Sequence, residues 1–234
     1  LLHSGLHGRP VEDIHAKLRD GKIDGLIFHA DGDDPLIPIL EHSNLPVVVI
    51  ADPVGCLPSV TSDDIGGMNL AIDHLWNKGY RRFAFLHPSH RLGSVERRKE
   101  AFISSLMARG LETDARKVIG IDWEQISPSL FDQLDMTKQT AVCTWNDRTA
   151  YRLLTVCLES GIKVPEQVAI VGFDGFLSDK APSRQLVTVM CPWIEVVDKA
   201  LEVLMQMIKG EITREDARDH QYCLPVSLID GDTA

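Results

Sequence analysis

The sequence predicts an α/β fold: parallel strands in a doubly wound arrangement, with helices on both faces. Three observations predict it. Short runs that are apolar on both faces alternate with longer amphipathic stretches; the amphipathic stretches close on glycines; and acids or amides stand just past the carboxyl ends of several strands. No internal repeat, low-complexity tract or Gly/Ser linker interrupts the alternation, so any division into lobes is made by the chain crossing between sheets.

The strand runs come in order. Ile23 to His29 (IDGLIFH), Pro46 to Ile50 (PVVVI), Arg82 to Leu86 (RFAFL), Lys117 to Ile121 (KVIGI), Thr140 to Thr144 (TAVCT) and Gln167 to Gly172 (QVAIVG) are β-rich and mostly apolar. Between them lie four helical stretches. The first starts at Asp63 or Asp64, stops at Gly79 and places Ile65, Met68, Leu70, Ala71, Leu75 and Trp76 near one side. Ser94 to Arg109, Asn146 to Ser160 and Trp193 to Lys209 repeat the form, each closed by a glycine.

Composition excludes several function classes. The chain has 234 residues, 44% hydrophobic and 25% charged, which suits one large domain or two small ones. Its 34 acidic and 24 basic residues leave a formal charge of -10, which works against attraction to a phosphate backbone. No apolar run is long enough to span a bilayer, and LLHSGLHGRP lacks the pattern of a secretory signal. Five scattered cysteines, most inside apolar segments, point to a reducing cytoplasm. A start at Leu1 is what a fragment of a longer protein would show.

Candidate chemistry gathers at the strand ends. Asp52 follows one strand, Asn146 and Asp147 a second, and Asp174 a third; in parallel sheets such positions converge on one crevice. Each has a structural alternative: Asn146 as a helix N-cap, Asp147 as a first-turn acid, Asp174 as a turn former. Arg97 and Arg98 occupy the first turns of a helix, where the macrodipole disfavours cations, so a partner is expected for one and solvent for the other. Trp123 and Trp193 are either lids over the core or flat faces for a ring-shaped ligand; Trp76 and Trp145 read as packing residues. No GxSxG, P-loop, GxGxxG or paired CxxC appears, and His87 and His90 are poorly spaced for a metal, so neither an enzyme nor a metal or other cofactor is expected.

Seven ordered segments carry a family resemblance: DGLIF, LPVVVIAD, SVTSDDIGGMNLAIDHLWNKGYRRFAFL, ERRKEAFISSLMARGL, WNDRTAYRLLTVCLESGIKVPEQVAIVGFDG, LVTVMCPW and CLPVSLI. In order and spacing the chain resembles the effector-binding core of lac/gal repressor-type (LacI/GalR) transcription regulators. The resemblance implies two Rossmann-like lobes of periplasmic-binding-protein-like type I fold joined by three crossovers. Residues 1–62 with a return over 190–219 would form the first lobe, and 63–189 with 220–234 the second. It implies a small molecule in the inter-lobe cleft, a sugar in preference to a nucleobase, held by Asp52, Ser94, Arg98, Trp123, Asn146, Asp174 and Trp193. Asp174 and Arg98 would take ligand hydroxyls and Trp123 would stack on the ring, in keeping with the chemistry of the three side chains.

The resemblance also implies a homodimer that reaches operator DNA only through an N-terminal helix-turn-helix head, which this chain does not show. The core's usual opening strand and helix are absent too. The stretch from Trp123 to Thr140 is short for the family, and LHPSH replaces small glycine-containing residues. A sugar-binding receptor of a transport system is the alternative; the lack of a secretory signal and the unpaired cysteines count against it.

Overall fold

The computed structural model describes residues 18, 21–29, 34–90, 92–112, 116–134, 137–176 and 184–234. The chain begins with β1 (Leu26–Phe28), α1 (Ile37–His42), β2 (Val47–Ile50) and β3 (Ser59–Ser62). It continues through α2 (Asp64–Asn77), β4 (Phe83–His87), α3 (Gly93–Ala108), β5 (Arg116–Gly120), a 3-10 turn (Trp123–Gln125), α4 (Leu130–Leu134) and β6 (Thr140–Thr144). After α5 (Asp147–Glu159), β7 (Val168–Asp174) and β8 (Val187–Met190) come α6 (Trp193–Ile208), α7 (Arg214–Ala217), β9 (Gln221–Leu224) and β10 (Ser227–Ile229).

These elements form two compact units. One comprises Leu1–Ser62 and Pro192–Leu224, the other Asp63–Cys191 and Pro225–Ala234. The first holds a sheet of order β1-β2-β3-β9, parallel throughout. The second holds a sheet of order β10-β8-β7-β6-β4-β5, parallel except where β10 runs against β8. The crossings fall at 191/192 and 224/225, a few residues later than the sequence reading put them. The displaced segment, Gln221–Leu224, pairs with β3 in register Ser59 to Gln221, so its backbone hydrogen bonds belong to the first unit.

In the second unit each face of the sheet buries a distinct core. Met68, Ile72 and Leu75 of α2 and Phe102 and Leu106 of α3 meet Phe83, Phe85 and Phe173 on one face. Leu153, Leu154 and Cys157 of α5 meet Leu86, Val142 and Ile170 on the other. The continuous apolarity of β4, β6 and β7 follows from this double coverage. β5 departs from it: as the edge strand it is only partly buried. α2 also departs in detail, since Ile65 and Leu70 face solvent while Ile72 joins the core.

Helix α2 starts where Asp63 caps it, accepting the Gly66 amide at 2.8 Å. Gly67 lies on its inner face, where a Cβ would come within 2.6 Å of the Phe173 ring; the absent side chain lets the helix sit close to β7. That close approach brings the first turn of α2 beside the carboxyl end of the sheet, where the candidate residues collect.

Candidate functional site

The second unit gathers its polar groups at the carboxyl ends of β4, β6 and β7. Arg98, in the second turn of α3, is almost fully buried. Its Nε donates to Asp64 Oδ1 at 2.7 Å, and its Nη1 donates to Asp174 Oδ1 at 3.3 Å and to the Trp145 carbonyl. The guanidinium carbon lies 3.6 Å from the centroid of the Phe173 ring. Burial works against the cation, but Asp64 and Asp174 outweigh it and hold the group above its ordinary pKa. The result is a fixed, permanently charged fork at the end of the sheet.

Asp64 is the residue that sequence reasoning missed. It sits in the first turn of α2, buried, with its second oxygen taken by Arg97 through Nε at 2.9 Å and Nη2 at 2.7 Å. Both arginines therefore have an anionic partner, which corrects the expectation that one of them meets only solvent. The unfavourable placement of two cations early in α3 is offset by one carboxylate early in α2, where the dipole favours an anion. Nothing local to either segment marks this pair, because 33 and 34 residues separate the partners.

Asp174 ends β7 with φ at 103°, a region that L residues rarely enter. Such strain persists where the surroundings over-determine it, and here it turns a carboxylate toward Arg98. Burial raises its pKa to about 6 even though Arg98 acts to lower it. The side chain nevertheless keeps 26% of its surface exposed, against 5% for Arg98, so it remains open to a ligand.

The other sequence candidates fall into two groups. Asn146 caps α5, its Oδ1 accepting the Thr149 amide at 3.0 Å and the Thr149 hydroxyl at 2.9 Å. Ser94 lies half-buried in the first turn of α3, and Trp123 lies exposed in the 3-10 turn with the Arg148 guanidinium 5.2 Å from its ring. These, with Arg98 and Asp174, belong to the second unit. Asp52 and Trp193 belong to the first. Asp52 is buried just past β2, after Ala51 at φ 72°, and Trp193 is exposed at the start of α6. Trp76 and Trp145 pack against the core as expected, Trp76 stacking on Phe83.

Chemically this cluster offers a fixed cation and a hydrogen-bond acceptor to a ligand. Arg98 is committed to two carboxylates and a carbonyl, and Asp174 can accept hydrogen bonds from a neutral, hydroxyl-bearing ligand. Trp123 and the exposed Phe176 offer apolar surface on the same unit. Among the described residues no group of three or more His, Cys, Asp or Glu side chains is placed to hold a metal, and no helix is long and apolar enough to cross a membrane. Cys143, Cys157 and Cys191 are buried free thiols.

Comparison with known proteins gives a consistent set of relatives. Residues 72–234 match the model of the periplasmic binding protein-like domain family. The arabinose metabolism transcriptional repressor of Geobacillus stearothermophilus is 29% identical over 217 residues, covering 86% of this chain and 59% of the repressor. The HTH-type transcriptional regulator CelR of Thermobifida fusca is 29% identical over 222 residues, covering 91% of this chain and 65% of the regulator. The chain thus spans less than two thirds of the length of either. Among solved structures, the CelR–cellobiose complex superposes with a TM-score of 0.83 at 24% identity, over 95% of this chain and 69% of that one. A LacI family transcriptional regulator from Enterococcus faecium with bound ribose gives 0.80 at 23% identity, over 95% and 83%. At such identities the likeness of the structures is one of fold.

Proposed function

The chain belongs to the periplasmic binding protein-like domain family, and from that premise we propose that it is the effector-sensing core of a lac/gal repressor-type transcription regulator acting in the cytoplasm. The observation that carries the reading is the pairing of buried Arg98 with strained, partly open Asp174 at the strand ends of the second unit. A fixed cation beside an accepting carboxylate suits a neutral ligand rich in hydroxyls, and a sugar fits it better than a nucleobase, which calls for aromatic faces on both sides. Ser94, Trp123 and Asn146 are proposed as further contacts on that unit, and Asp52 and Trp193 as contacts from the first.

In the whole regulator, operator DNA would be bound by a helix-turn-helix outside these residues, with two copies of the core forming a homodimer. The charge of -10 supports assigning DNA binding to another part of the molecule. The core itself binds and does not turn over its ligand, as its regulator relatives suggest.

The test is a thermal-shift screen against arabinose, ribose, cellobiose, their phosphates and nucleobases, with Asp174→Asn and Arg98→Met run alongside. A ligand at a hundredfold excess over its Kd adds about 2.7 kcal/mol to native stability. For a chain of this size that is roughly 5–10 °C in Tm. The expected result is a shift by one sugar class in the wild type that both variants lose; equal shifts in wild type and variants would place the ligand elsewhere.

A further inference from the structure

Asp147, the first residue of α5, is a buried carboxylate that joins three elements. Its Oδ1 accepts the Thr188 hydroxyl of β8 at 2.6 Å, and its Oδ2 accepts the backbone amide of Phe176 at 2.5 Å. Gly172 in β7 makes room for it: a Cβ there would stand 2.1 Å from Oδ1. The residues touched on β7 and its turn, Gly172 and Phe176, bracket Asp174. Asp147 is only 1% exposed and Asp174 is 26% exposed at its side chain, so the first can act on a ligand only through the second.

We infer that Asp147 is a positioning residue for the effector site: it clamps the turn after β7 to β8 and so holds the Asp174 carboxylate opposite Arg98, and its charge state sets how firmly that turn is held. The inference rests on the reading of Asp174 as an effector contact. An ionised carboxylate accepts a backbone amide roughly twice as strongly as a neutral one. Protonation of Asp147 therefore weakens the bond to Phe176, and it also removes a negative charge that opposes ionisation of Asp174.

The groups acting on this carboxylate come from each element around it. Its pKa is raised to about 7, chiefly by burial and in part by Asp174, against the Thr188 hydroxyl and the amides of Phe176 and Gly175, which act to lower it. Asp174 in turn faces Arg98 and is repelled by Asp64. The two carboxylates titrate as an interacting pair close to neutrality.

The experiment follows the Phe176 amide by NMR in the 15N-labelled chain from pH 5 to 9. The wild type is expected to show a step near pH 7 that vanishes in Asp147→Asn, which keeps an oxygen to accept the amide, and that moves to lower pH in Asp174→Asn. Hydrogen exchange at Phe176 above pH 7 should rise at least tenfold in Asp147→Ala and by less in Asp147→Asn, whose neutral oxygen still accepts the amide but more weakly than the carboxylate. A step that persists in Asp147→Asn, or exchange unchanged in Asp147→Ala, would overturn the assignment. Binding of arabinose, ribose and cellobiose is measured on the same samples: a sugar bound by the wild type with pH-dependent affinity should be bound by Asp147→Asn without that dependence, and an unaltered dependence would count against the clamp. If none of the three binds, the effector reading loses its support while the amide titration still decides whether Asp147 holds the turn.

Discussion

An ionised carboxylate taken out of water costs several kcal/mol unless its oxygens are fully hydrogen-bonded, and the second unit buries two of them within a short distance of Asp174. Asp64 meets the condition with two guanidinium partners. Asp147 has the Thr188 hydroxyl and the amides of Gly175 and Phe176 but no cation, so it carries a residual penalty that appears as a raised pKa. The sign of the consequence follows from linkage. An acid whose native pKa is raised from 3.8 to about 7 binds more protons folded than unfolded across that interval, so native stability falls as pH rises from about 4 to 7 and is level above it. Asp147→Asn removes the titration. The variant should therefore match or fall slightly below the wild type at pH 5 and exceed it at pH 8, by on the order of 2–4 kcal/mol. Urea denaturation at the two pH values checks this, and a variant less stable than the wild type at pH 8 would show that the charge itself is needed. Neither the burial nor its consequence was legible in the sequence, where Asp147 reads as a strand-end candidate with a first-turn acid as the structural alternative. Its burial depends on Gly172 and Thr188, which arrive from other strands.

At the scale of elements, the binding role proposed for Asn146 shares the tip of α5 with a structural one. Asn146 satisfies the first turn through its Oδ1, leaving its amide donors unused by the cap. An aspartate caps a helix as well as an asparagine does, but it cannot donate. Asn146→Asp should thus hold Tm within about 2 °C of the wild type while weakening sugar binding by tenfold or more, whereas Asn146→Ala should lose about 1 kcal/mol of stability as well. Calorimetric titration beside thermal unfolding separates the two; undiminished affinity in Asn146→Asp would leave the residue as a cap alone. Of the strands that sequence reading located, β4, β6 and β7 are buried on both faces and continuously apolar, whereas β1 and β5 are only partly buried. Those it passed over are β3, β8, β9 and β10. β3 reads Ser-Val-Thr-Ser yet is wholly buried, because β2 pairs with it on one side and β9, distant in sequence, on the other. β9 and β10 are short strands at sheet edges with mixed exposure, and no periodicity of three or four residues distinguishes them from turns.

At the scale of the whole molecule, neither unit is one continuous piece of chain, and the last crossing returns residues 225–234 to complete the second. The crossing could be anticipated from the family resemblance but not from composition, since no linker marks it. Its energetic weight rests on Thr233. The buried hydroxyl donates to the Ile170 carbonyl at 2.8 Å and accepts the Val187 amide at 2.9 Å, while the Thr233 carbonyl accepts the Ile170 amide at 2.8 Å. One residue from the end of the chain thus closes the gap between β7 and β8, the two strands that carry Asp174 and Thr188. Thr233→Val preserves shape and volume but leaves a buried amide and a buried carbonyl each short of a partner, at about 1–3 kcal/mol apiece. If the two units open as separate cooperative bodies, hydrogen exchange should accelerate in peptides covering β6, β7 and β8 and stay unchanged in those covering β1, β2, β3 and β9. Equal acceleration in both sets would mean that the three crossings bind the units into a single cooperative fold, and that a ligand held by the second unit stabilises the first to the same extent.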